Sequence, residues 1–420
     1  MQKKETALLI GVNINNQPRF KESMEELKNL AIACELEVVG SMEQNLKSIN
    51  PVFCIGSGKV EEVSSLADET EAEVLIFNNE LSPLQLRNLE KELECRVIDR
   101  TYLILEIFAK RAKTREAKLQ VEVARLQYML PRLIGSNESL GRQRGGIGTK
   151  NRGAGETKLE TDRRKIQARI LELNNELELL ENEHKIQRKL RYESELPSIA
   201  LVGYTNSGKS TIMNAMVDMF RKSEAKKVLE KDMLFATLDT TVRRITLSNK
   251  RTFLLADTVG FVSNLPHNLI KAFRSTLEEV CEADLLIHVV DISNPHYKEQ
   301  IDVTMKTLKE IGAENIPVIY AYNKIDLVDF DIPHDRCDCV YISAKLKKGM
   351  DKMVDLICSK VFKEYVQCKM LIPYDRGDIF SYLNENYDVK SIAYKDKGTL
   401  IDLECRQSDY KKYQQYVSTN

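Results

Sequence analysis

Residues 198–210 read Ser198-Ile-Ala-Leu-Val202-Gly203-Tyr204-Thr205-Asn206-Ser207-Gly208-Lys209-Ser210. The apolar run predicts a buried strand, and the segment after it matches the phosphate-binding P-loop pattern and leads into helix-forming residues. Glycines let successive backbone N–H groups face a phosphate at the start of a helix, where the helix dipole adds positive charge. In that setting Lys209 is placed to reach the terminal phosphates, and Ser210 offers an oxygen to Mg²⁺. The segment therefore predicts a nucleotide site at a strand-to-helix turn.

A second strand, residues 253–256, runs directly into Asp257-Thr258-Val259-Gly260. A carboxylate at the carboxyl end of a strand can hold the Mg²⁺ shell, and a glycine N–H can sense the γ-phosphate. An ordinary Asp-containing turn is the other reading of this motif. Its position after a strand, as in the P-loop segment, favours the nucleotide reading.

Two later motifs point to guanine. Residues 317–322 form a predicted strand that ends in Asn323-Lys324-Ile325-Asp326, and residues 340–342 lead into Ser343-Ala344-Lys345. The carboxylate of Asp326 can accept hydrogen bonds from the ring N–H and exocyclic amine of guanine, a donor pair that adenine lacks. Backbone N–H groups of the later motif are placed to meet the guanine carbonyl. All these motifs follow predicted strands in chain order, as expected for an open, mostly parallel α/β sheet.

The chain resembles the translation-factor-related class of P-loop GTPases over residues 198–350, on the motifs just quoted. It is more closely similar to the HflX family, and this likeness spans at least residues 110–350. The segments that carry it are Gly145-Gly-Ile-Gly148-Thr-Lys150-Asn-Arg152-Gly-Ala-Gly155-Glu156-Thr-Lys-Leu-Glu160, Phe235-Ala236-Thr237-Leu238-Asp239, Asp257-Thr-Val-Gly260-Phe261 and Leu265-Pro-His267 to Phe273-Arg-Ser-Thr-Leu-Glu278.

The resemblance implies a first switch loop at residues 235–239, with Thr237 as the second Mg²⁺ ligand beside Ser210. Spacing alone leaves Thr240 and Thr241 as rivals. The position after Gly260 is Phe261, which cannot hydrogen-bond a water molecule where Ras-like enzymes use Gln. We therefore expect slow GTP hydrolysis by the protein alone.

Asn206 occupies the P-loop position at which some related GTPases hold a potassium ion. A loop-shaping asparagine is at least as good an interpretation of this residue. Potassium is therefore an open expectation beside Mg²⁺.

The hydrophobic patterns predict four domains. Residues 1–108 alternate strand-like and helix-like runs and form an α/β subdomain; residues 109–195 form a helical hairpin with a basic, glycine-rich tip at 135–156. We expect a single long helix over residues 101–130 as the first arm of this hairpin. The GTPase domain covers 196–361, and a small α+β domain of unknown role covers 362–420.

Charge is distributed unevenly along the chain. Residues 110–155 contain eleven Lys or Arg against three Asp or Glu, a local excess of eight positive charges in a chain whose net charge is −1. The candidates for RNA contact at the tip are Arg142, Arg144, Lys150 and Arg152. The tip lacks aromatic residues between 135 and 165, so its chemistry suits phosphate and backbone contact more than base stacking. A solvated charged hairpin is the alternative reading.

Composition narrows the protein class. With 420 residues, 43% hydrophobic and 30% charged, the chain can bury several cores, which excludes a single small module and a compositionally disordered protein. Its 62 basic and 63 acidic residues create no global attraction to nucleic acid or membrane. Nine scattered cysteines favour reduced thiols in the cytoplasm, and no apolar run is long enough to predict a signal peptide or a membrane span.

The HflX resemblance implies a cytoplasmic, monomeric GTPase that binds GTP and GDP and attaches to the large ribosomal subunit. Its N-terminal region is then expected to reach ribosomal RNA and to help part stalled or idle subunits. The alternative is a GTP-dependent regulator that docks a protease or an RNA-modifying complex through the hairpin. A third hypothesis, an ATP-driven RNA remodeller, depends on Gly56-Ser-Gly-Lys59 alone, which we interpret as a structural turn.

Overall fold

The computed structural model describes residues 4–133, 152–193, 196–220, 235, 240–262, 278–329 and 338–418. Within 152–193, side chains are described for residues 160–180, 182 and 183. The chain divides into two compact units. The first comprises Met1–Leu190, Lys231–Asp239 and Val259–Leu277, and the second comprises Arg191–Glu230, Thr240–Thr258 and Glu278–Asn420. The four domain boundaries expected from the sequence remain a prediction.

The first unit contains a four-stranded parallel sheet in the order β2-β1-β3-β4. Its strands are β1 (Thr6–Ile14), β2 (Glu37–Leu46), β3 (Val74–Phe77) and β4 (Arg96–Asp99). The connecting helices are α1 (Phe20–Ala33), α2 (Ser57–Glu69) and α3 (Pro83–Leu93). Alternate residues of β3 enter two separate hydrophobic cores, so both faces of this sheet are covered.

The glycine-containing turn at residues 56–59 forms the start of α2, with Gly56 as the residue before the helix. The Gly56 amide donates to the Gln44 side chain over 2.9 Å, and Lys59 forms an ion pair with Glu62 at 2.6 Å. The Gly56 amide and the Lys59 ammonium group are thus engaged within the protein. This turn gives no support to an N-terminal ATP site.

The predicted single helix over residues 101–130 is wrong, because the chain breaks it into α4 (Arg100–Arg111) and α5 (Arg115–Met129). Ala112 is extended, and the Thr114 hydroxyl accepts a hydrogen bond from the Ala117 amide, which starts the second helix. A 42-residue helix, α6 (Arg152–Glu193), follows and begins inside the stretch expected to be the loop tip.

The helical hairpin itself is confirmed, with α5 as one arm and α6 as the other. Leu119 and Val123 of α5 pack against Leu173 of α6 in a small hydrophobic cluster. Leu126, Ile170, Leu177 and Leu180 pack against the same cluster. The helical spacing of these residues is what the sequence pattern predicted.

The second unit contains a six-stranded, mostly parallel sheet in the order β10-β9-β8-β5-β7-β6. Its strands are β5 (Ser198–Val202), β6 (Thr241–Thr246), β7 (Thr252–Asp257), β8 (Leu285–Asp291), β9 (Val318–Asn323) and β10 (Cys339–Tyr341). Its helices are α7 (Lys209–Met219), α8 (Glu278–Cys281), α9 (Tyr297–Ile311) and α10 (Met350–Val361). Among the strands in the described residues of this sheet, only β6 and β7 pair antiparallel, and this topology confirms the predicted GTPase fold.

The chain ends in a three-stranded antiparallel sheet of order β11-β13-β12, as the α+β prediction requires. Its elements are β11 (Tyr365–Ile372), α11 (Gly377–Asn386), β12 (Asp388–Lys395), β13 (Gly398–Arg406) and α12 (Gln407–Lys412). Arg251, in the turn between β6 and β7, forms an ion pair with Glu404 of β13 at 2.5 Å. This sheet is therefore held against the edge hairpin of the GTPase sheet.

Candidate nucleotide site

The P-loop turn joins the end of β5 to the start of α7, and two of its glycines are required by geometry. Gly203 has φ +147°, and a Cβ added there would lie 2.3 Å from the carbonyl oxygen of Val289. Gly208 has φ +100°, and its added Cβ would lie 2.2 Å from the side-chain nitrogen of Asn323. Both backbone conformation and close packing thus exclude a side chain at these positions.

Lys209 is held inside this turn. Its ammonium group donates to the carbonyl oxygens of Gly203 at 3.0 Å and Tyr204 at 2.8 Å. Burial lowers its pKa from 10.5 to about 8, although the carboxylate of Asp257 partly opposes that shift. A bound polyphosphate would supply negative charge to this poorly solvated ammonium group.

The oxygen atoms beside Lys209 suit a magnesium ion. The Ser210 hydroxyl donates to a carboxylate oxygen of Asp257 over 2.6 Å, which places two hard oxygen donors together. The hydroxyl oxygens of Thr205 and Ser207 are buried and have no hydrogen-bond partner among the described residues. Buried hydroxyl groups normally have a hydrogen-bond partner, which a bound phosphate would supply here. The residues of this turn therefore fit Mg²⁺ and phosphate.

The base-recognition motif is tied to the P-loop. The side chain of Asn323 donates to the Ser207 carbonyl at 2.9 Å and accepts from the Ala344 amide at 3.0 Å. The Ala344 N–H, which the sequence suggested for the guanine carbonyl, is thus directed at Asn323 in this structure. Lys324 adopts a left-handed backbone conformation, with φ 67°, and pairs with Asp291 at 2.7 Å.

Asp326 lies at the surface, whereas Ser343 and Ala344 of the later motif are buried. Asp326 is exposed in the short 3-10 helix Ile325–Leu327, while Ile325 is buried beneath it. Ser343 is fully buried, and its hydroxyl accepts a hydrogen bond from the Leu346 amide at 3.2 Å. Lys345 is exposed beside it. A carboxylate that solvent can reach at this point is available to a purine.

The predicted switch residues are only partly within the described chain, since Ala236, Thr237, Leu238 and Asp239 lie outside it. Phe235 is 2% exposed and its ring meets that of Phe108 edge-on, with centroids 4.6 Å apart, inside the core of the first unit. Val259 and Val262 belong to the same core.

Residues 257–262, the segment around Gly260 that we call the second switch segment, are also buried. The Thr258 hydroxyl donates to the Leu201 carbonyl at 2.6 Å, which gives that side chain a structural role. Phe261 is 3% exposed, and Gly260 lies next to it in the buried segment.

Sequence reasoning missed His288, a single polar residue within the apolar run of β8. It is 1% exposed and lies 5.3 Å, centroid to centroid, from the ring of Tyr320. Burial, with the positive charge of Lys209, lowers its pKa from 6.5 to about 3. A neutral imidazole near the P-loop lysine avoids a second buried positive charge. Its only sequence signal is a titratable residue at a position where the strand pattern expects an apolar one.

The basic candidates fall mainly outside the described residues, and for Arg152, the first residue of α6, only the backbone is described. The structure does describe several of the other basic residues counted in residues 110–155. Four are paired with acids: Lys110 with Glu35 at 3.3 Å, Arg115 with Glu176 at 2.8 Å, Arg125 with Glu106 at 2.8 Å and Arg132 with Asp99 at 3.2 Å. These four ion pairs reduce the positive charge that residues 110–132 present to a polyanion.

None of the helices in the described ranges has the length and apolar character needed to cross a membrane. Three family models match the chain in order. Residues 21–109 match a GTP-binding GTPase N-terminal region, residues 111–191 a GTP-binding GTPase middle region, and residues 198–324 a 50S ribosome-binding GTPase.

Relatives match over almost the whole chain. GTPase HflX of Caldanaerobacter subterraneus subsp. tengcongensis is 44% identical over 401 residues, which cover 96% of this chain and 91% of the relative. GTPase HflX of Alkalihalophilus pseudofirmus is 45% identical over 423 residues, covering 97% and 96%. Among solved structures, a GTP-binding protein from Sulfolobus solfataricus in complex with GDP is 26% identical, with a TM-score of 0.45 and coverage of 86% and 99%.

Proposed function

Since the chain belongs to the HflX family of GTPases and is a GTP hydrolase, we propose that it acts as a ribosome-dependent switch in the cytoplasm. Its GTP form binds the large ribosomal subunit, and hydrolysis to GDP ends the interaction. In this proposal the protein separates or recycles stalled and idle ribosomes. The match of residues 198–324 to a family described as 50S ribosome-binding supports the choice of partner.

The observation that carries the proposal is the burial of Phe235, from the predicted first switch loop, and of Val259 and Val262, near Gly260, in one hydrophobic core of the N-terminal unit. Phe235 from the first segment and Val262 from the second pack in the same hydrophobic cluster as Phe108 of α4. Phe235 has φ 54°, an unfavourable backbone conformation for a bulky residue that surrounding packing must hold in place. A switch movement that displaces Phe235 would therefore alter the packing of the unit that carries the basic hairpin.

The positive charge of the hairpin tip also supports the proposal. Ribosomal RNA presents a dense array of phosphates, and Arg142, Arg144 and Lys150 at the tip provide the matching cations. The ion-paired basic residues of α4 and α5 are less available for this purpose. We infer that the tip is the RNA-contacting element and that nucleotide state controls its presentation.

For the nucleotide itself, we propose that Ser210 and Thr237 hold Mg²⁺ and that Asp257 orders its shell. Bound Mg²⁺ would neutralise charge between the β- and γ-phosphates. Asn206 is exposed and left-handed, with φ 60°, and we propose it as the neighbour of a potassium ion. GTP turnover that is unchanged when sodium replaces potassium would remove the potassium part of this proposal.

Hydrolysis by the protein alone is expected to be slow. Phe261 is buried and offers no hydrogen-bonding group, so it cannot orient the attacking water. We propose that contact with the ribosome completes the catalytic arrangement. Turnover should then rise when large ribosomal subunits are added to the purified protein.

The direct test is density-gradient co-sedimentation of the full chain with separated ribosomal subunits. We expect the protein to travel with large subunits in a non-hydrolysable GTP analogue and to remain at the top of the gradient in GDP. Absent binding, or equal binding in both nucleotides, would contradict the switch. Stimulation of turnover by a protease or RNA-modifying complex, with none by ribosomal subunits, would favour the alternative regulator.

A charge-matched pair of variants locates the RNA contact. Neutralising Arg142, Arg144 and Lys150 to Gln should weaken binding and reduce its salt dependence by about one unit of log–log slope per lost phosphate contact. The control neutralises the exposed residues Lys369, Lys390 and Lys395 of the C-terminal sheet, which removes the same charge elsewhere. Equal losses in the two variants would mean that the attraction is general rather than centred on the tip.

A further inference from the structure

Two thiols face each other in the core of the C-terminal sheet. Cys368 of β11 pairs in register with Leu403, and Cys405 of β13 pairs with Val366. Residues 366 and 368 share a face, so the two cysteines are diagonal neighbours across an antiparallel pair. Their sulfur atoms are 3.6 Å apart, and the side chains are 7% and 0% exposed.

We propose that Cys368 and Cys405 form a reversible intrachain disulfide when the folded protein meets a hydroperoxide. A disulfide needs the sulfurs about 2.05 Å apart, so each must move by less than about 1 Å, which side-chain rotation within two adjacent strands can supply. This site is separate from the nucleotide site and does not depend on the proposed function.

The reaction balances with the hydroperoxide as sole oxidant. The sulfur of Cys368 attacks the peroxide oxygen, the O–O bond breaks, and the products are a sulfenic acid and one alcohol or water molecule. The sulfur of Cys405 then displaces the hydroxyl group, which leaves as water with the thiol proton. Overall, two thiols lose two hydrogen atoms and the hydroperoxide is reduced.

The surroundings favour this order of events. The hydrogen-bond contact between the two sulfur atoms lowers the pKa of Cys368, whereas the same contact, together with burial, raises the pKa of Cys405. Burial instead raises the pKa of Cys34, and that of Cys54 to about 11. Cys368 is also the more exposed of the two side chains, at 7% against 0%, so it is the thiol that a hydroperoxide reaches first, with Cys405 positioned to resolve the sulfenic acid.

The bond would also act on the contact with the GTPase sheet. Glu404, next to Cys405, pairs with Arg251, whose guanidinium group lies 5.1 Å from the ring centroid of Tyr365 at the start of β11. β11 and β13, the two strands that the disulfide would join, therefore both contact Arg251. The cross-link closes a loop of the intervening chain and restricts the unfolded state, so it should raise the thermal midpoint of the C-terminal sheet.

The test uses the full-length folded protein and hydrogen peroxide. After oxidation, remaining thiols are alkylated under denaturing conditions and the chain is digested with trypsin. We expect residues 364–369 and 398–406 to be recovered as one disulfide-linked pair that dithiothreitol separates, whereas Cys34 and Cys54 are recovered alkylated. Recovery of Cys368 and Cys405 as separate alkylated thiols, or linked to other cysteines, would overturn the proposal.

Two variants test the assigned order. In Cys405→Ala, Cys368 should accumulate as sulfenic and sulfinic acid because the resolving thiol is missing. In Cys368→Ala, Cys405 should stay a thiol at the same peroxide dose. Equal oxidation of the two single cysteines would contradict the order, and the wild-type peptide map decides the disulfide itself if either variant fails to fold.

Discussion

The side-chain amide of Asn323 donates to the carbonyl oxygen of Ser207 over 2.9 Å and joins the base-recognition motif to the phosphate-binding turn. The same amide lies where a Cβ on Gly208 would clash, at 2.2 Å. The side-chain oxygen Oδ1 of Asn323 accepts a hydrogen bond from the backbone N–H of Ala344. One buried side chain therefore holds three separate motifs of the nucleotide site in register.

Asn323→Ala should weaken guanine-nucleotide binding without removing a charge. The Ser207 carbonyl and the Ala344 amide each lose a buried partner, and each such loss costs about 1–3 kcal/mol. We expect the dissociation constant for GDP, measured by calorimetry, to rise at least about fivefold, with a lower thermal midpoint. Asn315→Ala, at an exposed position before β9, is the matched control and should leave both values unchanged.

Asp326→Asn should change purine selectivity. The exposed carboxylate is proposed to accept two hydrogen bonds from guanine, and an amide cannot accept both. We expect GTP binding to weaken and binding of xanthosine triphosphate, which carries a carbonyl in place of the amine, to strengthen. Calorimetric titration with both nucleotides measures the ratio. A ratio equal to that of the wild type would show that Asp326 does not read the base.

Nucleotide binding should take up protons at mildly alkaline pH. Lys209 has a pKa of about 8 in the folded protein because it is buried, and a bound triphosphate should restore its positive charge. Uptake should be about half a proton per GTP at pH 8 and about a tenth at pH 7. Calorimetry in two buffers with different ionisation enthalpies measures it. His288→Gln should show the same uptake, since the His288 pKa of about 3 keeps this side chain neutral throughout.

The same shift has a defined effect on stability. The folded pKa of Lys209 lies below the unfolded value of 10.5, so between pH 8 and pH 10.5 the unfolded chain binds more protons. The unfavourable contribution of Lys209 to folding is therefore fully present below pH 8 and is relieved as the pH rises through this window.

The GTPase sheet and its site motifs could be predicted because they depend on local sequence. The P-loop needs glycines where a Cβ would clash, and strand-forming apolar runs end in the polar residues that carry the chemistry. The break before Thr114 could not be predicted, because a single capping hydroxyl interrupts a helical pattern that continues on both sides. The helical spacing of apolar residues does not indicate such a break.

Long-range pairing could not be predicted. Arg132 is one of the eleven basic residues of segment 110–155, yet it pairs with Asp99, 33 positions earlier, and stacks on Tyr128 with its guanidinium carbon 3.3 Å from the ring centroid. Phe235 was assigned to the nucleotide from its motif, yet its side chain belongs to a hydrophobic core with Phe108. The Arg132–Asp99 and Phe108–Phe235 contacts each join residues far apart in sequence, where no local pattern indicates the partner.

Arg132→Met should destabilise the N-terminal unit strongly. Asp99 is fully buried, and removal of its cationic partner leaves an uncompensated charge, a loss of about 3–5 kcal/mol in similar pairs. Thermal unfolding followed by circular dichroism should show a clearly lower midpoint temperature for unfolding of the N-terminal unit. Arg115→Met, which breaks the exposed pair with Glu176, should cost about 0–1 kcal/mol and is the matched control.

Phe108→Leu should weaken the link between nucleotide state and ribosome binding while leaving nucleotide affinity intact. The substitution keeps an apolar side chain but removes the edge-on contact with Phe235, an interaction of about 0.5–1.5 kcal/mol. We expect the ratio of co-sedimentation in GTP analogue to that in GDP to fall about two- to tenfold, with an unchanged dissociation constant for GDP. Phe77→Leu makes the same change in the other core of the N-terminal sheet and should preserve the ratio. If both variants lower the ratio equally, general loosening of the unit, rather than the Phe108–Phe235 contact, accounts for the loss.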